Sequence, residues 1–159
     1  MNDAIIRDMF AAAAVQRPED AIGYLMWRVA HRHQRDMDRA LADIDLTHLQ
    51  FVALVQTAWL RRTQSQVTQP ELIAFSNIHP MQLSNVLKAL AEKGLITRPR
   101  SDSDARTKLV VPTAAGITVL AAALPRASAL QDRFFGGPAT TGALKNALRQ
   151  IVASWSDDD

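Results

Sequence analysis

Apolar residues recur at helical spacing along most of the chain, interrupted once by a pair of short extended segments. From about Pro18 to Asp43 the stripe Ile22, Leu25, Met26, Val29, His33, Met37, Ala40, Leu41 and Ile44 keeps helical phase. It predicts the longest helix, with that face in the core. His33 lies inside the stripe and therefore reads as a core histidine with a hydrogen-bond partner rather than a ligand. A second helix opens at Thr47, with Gln50 completing a capping box, and carries Phe51, Leu54, Val55 and Ala58 on one face, widened by Trp59 and Leu60.

Thr68-Gln69-Pro70-Glu71 has the form of another capping box and opens a short helix to about Phe75. The turn Ser76-Asn77-Ile78 follows, and Pro80 suits the first turn of the next helix, where its missing N–H costs nothing. In that helix Leu83, Val86, Leu87 and Leu90 dock on a core. Gly94 stands one step past the run, where a left-handed residue ends a helix without a Cβ clash. Leu95-Ile96-Thr97 and Leu109-Val110-Val111 then form an outgoing and a returning strand before Pro112. Thr113 caps a long alanine-rich helix toward Phe134-Phe135, which Pro125 is expected to kink or divide. Gly136-Gly137-Pro138 breaks it, and a last helix from Thr141 to about Trp155 aligns Leu144, Ala147, Leu148, Ile151 and Val152.

Two helices around a tight turn, followed by a hairpin, outline a winged helix-turn-helix: a mainly α fold with a small two-stranded β-wing. The face of the second helix opposite its leucines offers Met81, Gln82, Ser84, Asn85 and Lys88, a short polar surface suited to base edges. The wing carries Arg98, Arg100, Ser101, Asp104, Arg106 and Lys108, and Thr68 and Gln69 stand where a helix start can meet phosphate. Each has a plainer reading. Asp104 and Arg106 could be a hairpin-tip ion pair of little worth, and Thr68 is first of all a cap.

Asp104-Ala105-Arg106, preceded by "LAEKGLITR" and followed by "LVVPTAAG", resembles the MarR (multiple-antibiotic-resistance regulator) family of dimeric transcription factors over roughly Ala21 to Phe135. The resemblance implies that Arg106 probes a minor groove, whose negative potential attracts a guanidinium, with Asp104 as its brace. It also implies that the terminal helices form a dimerisation region, with Ile5, Ile6, Met9 and Phe10 of one subunit against the last helix of the other. The expected divisions are 1-45 (dimerisation and pocket wall), 46-112 (DNA-binding region), 113-156 (C-terminal dimerisation helices) and 157-159 (an acidic tail).

Composition is consistent with this. At 159 residues and 48% hydrophobic content the chain can bury a core as one domain. The net charge is +2, but outside the terminal Asp157, Asp158 and Asp159 there are 18 Lys and Arg against 13 Asp and Glu, a balance of +5. Between Arg61 and Lys108 eight basic residues face four acidic ones, where phosphates would lie. No apolar run approaches a membrane span and Met1 to Val15 lacks a secretory leader's features, so a cytoplasmic location is expected. Cysteine is absent, which excludes disulfides and thiol chemistry. His31, His33, His48 and His79 are scattered, and no metal motif, phosphate cradle or nucleophile elbow exists. No enzyme, metal or cofactor is expected.

Tyr24, Trp27 and His31 form a second face on the first long helix, beside an arginine row at Arg28, Arg32, Arg35 and Arg39. Three readings stay open: a packing or dimer contact, a solvated row with Arg32–Asp36 and Arg39–Asp43 pairs, or an effector pocket. The resemblance implies the pocket, in which Tyr24, Trp27, Arg28, His31 and Trp59 would hold a small aromatic acid. The expectation is a homodimeric regulator, a repressor, that binds double-stranded DNA at an inverted repeat and is released by an aromatic or phenolic effector. The alternatives are a winged-helix protein-interaction module and a ligand-independent DNA-binding factor.

Overall fold

Seven α-helices and one antiparallel pair of strands make up the computed structural model, which describes residues 2–12, 17–101 and 107–155. The helices are α1 (Asn2–Ala12), α2 (Ile22–Leu41), α3 (His48–Leu60), α4 (Gln69–Ser76), α5 (Pro80–Glu92), α6 (Ala114–Phe135) and α7 (Pro138–Ser154). Strands β1 (Ile96–Thr97) and β2 (Val111–Pro112) stand between α5 and α6, with Ile96 opposite Pro112 and Thr97 opposite Val111. The chain divides into two compact units, Met1–Asp36 and Met37–Asp159.

In the first unit no described residue is buried. Ile22 is 72% exposed, and Leu25, Met26 and Val29 are exposed as well, so the expected core stripe is buried only at its far end, at Met37 and Leu41. The amphipathic pattern shapes the helix, but among the described residues of the first unit nothing buries the apolar face of its first half. His33 is half-buried, and desolvation lowers its pKa against the opposing pull of Asp36. Three-residue 3₁₀ turns, Pro18–Asp20 and Ala42–Ile44, flank α2, which at 20 residues is shorter than the 22-residue α6.

The core lies in the second unit. Leu41, Leu54, Val67, Leu72, Leu83, Leu87, Leu90 and Val110 are fully buried, bringing α2's last turn, α3, α4, α5 and the returning segment around one centre. Both expected capping boxes form, Thr47 with Gln50 and Thr68 with Glu71, fixing where α3 and α4 begin. On α3, Phe51 and Leu54 are buried and Val55 and Ala58 partly so, while Trp59 turns outward at 58% exposure instead of widening that face.

Helix α6 runs undivided through Pro125. Both Pro125 and Ala121, whose carbonyl loses its partner, lie on the exposed side, where water can replace the missing N–H. Asp43 pairs with Arg126 of α6.

Candidate nucleic-acid interface

Local chemistry builds the helix-turn-helix. At the start of α4 the Thr68 hydroxyl accepts the Glu71 N–H at 3.3 Å, while Glu71 Oε2 accepts the Thr68 N–H and hydroxyl, each at 2.7 Å. Those bonds favour the charged carboxylate and lower the Glu71 pKa. Asn77 adopts the left-handed conformation at φ 52°, and the Ser76 hydroxyl accepts the Ile78 N–H, turning the chain toward α5. His79 caps α5 through Nδ1, which accepts the Met81 N–H, and Pro80 occupies its first turn.

On α5 the division of faces is sharp. Leu83, Leu87 and Leu90 are fully buried, whereas Met81 is 71% exposed and Gln82, Asn85 and Lys88 are also exposed. Ser84 is half-buried, at the margin of the outer face. Lys88 lies 3.9 Å from Glu92, a loose surface pair that leaves its ammonium available.

Gly94, at φ 69°, ends α5, with the Leu95 N–H reaching back to the Leu90 carbonyl at 2.9 Å. The returning segment pairs on both sides. Arg100 bridges Lys108 and β1 bridges β2 on one flank. On the other, Thr68 bridges Leu109, the Val110 N–H donates to the Val67 carbonyl at 2.7 Å, and the Gln69 N–H donates to the Lys108 carbonyl at 3.1 Å. This second pairing anchors the wing to the start of α4. Val67 and Thr68 were not expected as strand partners, because a stretch so short carries no alternating pattern.

The basic residues do not all face outward. Arg100 and Lys108 are exposed. Arg98 is half-buried and donates from Nη2 to Gln69 Oε1 at 2.5 Å. Lys93 is exposed but engaged locally, its ammonium reaching the Asp45 carbonyl at 2.5 Å, Asp45 Oδ1 at 3.0 Å and Gln50 Oε1 at 3.2 Å. Ser101, expected on the wing surface, is buried and donates its N–H to the Thr107 carbonyl, closing the base of the hairpin. Asp104 and Arg106 lie outside the described residues.

Beyond the wing, the Thr113 N–H donates to the Leu95 carbonyl at 3.0 Å and its hydroxyl to the Gly94 carbonyl at 2.7 Å. The same hydroxyl accepts the Gly116 N–H and caps α6. A Cβ at Gly116 would stand 2.0 Å from the Leu95 carbonyl oxygen, so the Thr-Ala-Ala-Gly sequence combines a cap with a close backbone approach.

Residues 46–108 match the MarR family. A relative described as an uncharacterized HTH-type transcriptional regulator, YdcH of Bacillus subtilis, is 32% identical over 135 residues, covering 85% of this chain and 92% of that protein. The chain belongs to the MarR family. Among solved MarR-like structures, CouR from Rhodococcus jostii RHA1 bound to p-coumaroyl-CoA is 28% identical, with a TM-score of 0.72, over 87% of this chain and 94% of that one. A mutant of MarR from E. coli complexed with operator DNA shares the fold at 21% identity, with a TM-score of 0.73, over 82% and 92%. As a MarR-family protein this chain is a non-enzymatic, DNA-binding transcriptional regulator.

The second-face residues of this MarR-family chain belong to both compact units. In the first, Tyr24 and Trp27 stack with centroids 6.3 Å apart, Trp27 lies 4.3 Å from His31, and the Arg28 guanidinium stands 5.8 Å over the Tyr24 ring. The His31 Nδ1 approaches the Trp27 carbonyl at 2.8 Å and so acts as the donor there. All four are exposed, forming an aromatic ladder along one helix face. In the second unit Arg62 stacks 4.4 Å over the exposed Trp59 ring. Among the described residues no cluster of metal-ligating side chains occurs, and no helix is long and apolar enough to cross a membrane.

Proposed function

We propose that the protein is a homodimeric repressor that binds an inverted-repeat operator, with α5 of each subunit in the major groove and the wing beside it. The observation that carries this reading is the two-faced α5, whose leucines are sealed in the core while Met81, Gln82, Asn85 and Lys88 stay open. On this reading Gln82, Ser84, Asn85 and Lys88 read or flank bases. Arg100, Arg106 and Lys108 supply wing contacts, Arg106 in the minor groove braced by Asp104, and Thr68 and Gln69 meet phosphate. The half-sites would lie about 10 bp apart, one turn of DNA.

Residues 46-112 form the reading unit, 1-45 and 113-156 the dimerisation region, and 157-159 an acidic tail. The apolar faces left open in one chain favour a dimer: Ile5, Ile6, Met9 and Phe10 on α1, and Leu144, Leu148, Ile151 and Val152 on α7 are all exposed. A small aromatic acid is the proposed effector, supported by the ladder of Tyr24, Trp27, Arg28 and His31 and by the aromatic acyl ligand of CouR.

The test is a fluorescence-anisotropy titration against duplex DNA from the promoter beside the protein's own gene and a scrambled duplex, at two salt concentrations. Salt-sensitive preference for the promoter duplex is expected. Binding to neither duplex at low salt would favour a protein-interaction winged helix instead. Aromatic acids added to the complex should release DNA, and a complex indifferent to all of them would leave a ligand-independent factor.

A further inference from the structure

Gln69 is held by both limbs of the wing. Its backbone N–H donates to the carbonyl of Lys108 on the returning limb, and its side-chain Oε1 accepts from Arg98 Nη2 on the outgoing limb, 29 residues along the chain. The amide orientation follows from chemistry: a guanidinium carries five N–H donors and no acceptor, so it is the oxygen of Gln69 that faces it. The two amide N–H donors are left unused by this pairing, and they stand at the first turn of α4. Arg98 itself is poorly placed for DNA. It is half-buried, and its Nε is buried with no acceptor among the described residues, whereas Arg100 and Lys108 on the same hairpin are exposed.

We propose that Arg98 is a positioning residue for DNA binding: its bond to Gln69 Oε1 turns the Gln69 amide N–H groups toward a backbone phosphate, while Arg98 makes no DNA contact. The inference rests on the reading of α4, α5 and the wing as the DNA surface. It reverses the role expected for a wing arginine. A phosphate contact by Arg98 would release a condensed counterion, lowering the salt slope by about 0.9 when the arginine is lost. A positioning role leaves the slope untouched, because the group meeting phosphate is the neutral Gln69.

The experiment uses the full chain and a duplex that the wild type selects from a random-sequence library. Salt-dependent affinities are measured for wild type, Arg98→Met, Gln69→Met and the double variant, with circular dichroism verifying that each folds. Each single variant is expected to lose about tenfold in affinity with the salt slope unchanged, in line with one charge-independent hydrogen bond. The double variant should be no weaker than either single one. A slope reduced by about one in Arg98→Met alone, or multiplicative losses in the double variant, would overturn the proposal. Gln69→Met also decides the matter if Arg98→Met does not fold: removing a half-exposed neutral side chain frees Arg98, so undiminished affinity would refute the clamp. Selection of no duplex by the wild type would remove the DNA-binding reading itself, and the proposal with it. That result is distinct from the failure of either variant.

Discussion

Replacing Gly116 with alanine adds one methyl group where the backbone leaves no room for it. The new Cβ would lie 2.0 Å from the Leu95 carbonyl oxygen, 3.0 Å from its carbon and 3.4 Å from its Cα. Non-bonded heavy atoms settle at about 3.5 Å or more, so the start of α6 must retreat from the α5–β1 corner by about 1.5 Å. That retreat strains the Thr113 N–H bond to Leu95 and the Thr113 hydroxyl bond to Gly94. Overpacking costs about 1–3 kcal/mol, and each lost hydrogen bond about 1 kcal/mol. Alanine's better helix propensity returns about 1 kcal/mol. The net destabilisation is about 2–4 kcal/mol.

At about 2–4 °C per kcal/mol for a chain of this size, the melting temperature should fall by about 4–16 °C. Melts followed by circular dichroism must share one protein concentration, since association would shift them. Gly142→Ala is the control: nothing lies within 4 Å of a Cβ there, so the exposed α7 position should be neutral or gain up to about 1 kcal/mol. A Gly116→Ala protein that melts at or above the wild type would show that the approach to Leu95 does not constrain the fold.

Asn85→Ala should weaken binding to the cognate duplex by about 1–3 kcal/mol and leave scrambled DNA nearly unaffected; equal losses on both would remove its base-reading role. Arg106→Ala should weaken sites with AT-rich flanks most, and flank-independent affinity in a titration series would contradict a minor-groove role. For His33 the folded pKa lies below the ordinary 6.5 because burial disfavours the charged ring. Its contribution to stability is therefore present above that value and is lost as pH falls through the lower, folded pKa. In melts between about pH 5 and 8, His33→Gln should lose less stability on acidification than the wild type; parallel pH profiles would contradict the assignment.

Features decided within a few residues were legible in the sequence. Thr68 with Glu71, Thr47 with Gln50, Pro80 and Gly94 each act on backbone groups close by, so their spacing alone specified helix ends and turns. What depended on distant partners was not. The Arg98 partner is 29 residues away, and Asp43 finds Arg126 across 83. The periodic stripe of Ile22, Leu25, Met26 and Val29 identified an apolar face but not what lies against it, since periodicity carries no information about the opposing surface. Ser101 looks like a surface residue by type, yet a hairpin base buries it, and exposed Lys93 engages its ammonium in a helix-end network with Asp45.

The Gly94–Leu95 pair serves three elements at once: its N–H groups reach back to Ala91 and Leu90 and close α5, its chain leads into β1, and its carbonyls receive Thr113 at the head of α6. A chimeric regulator made by exchanging α5 alone with a relative would therefore cut through a shared joint, leaving donors from one parent facing acceptors set at the other parent's angle. The smallest segment that keeps these joints together begins at Val67, whose carbonyl receives the Val110 N–H, and ends after Gly116. Specificity in this fold is thus a property to be moved as a cassette of about fifty residues, not as a single helix.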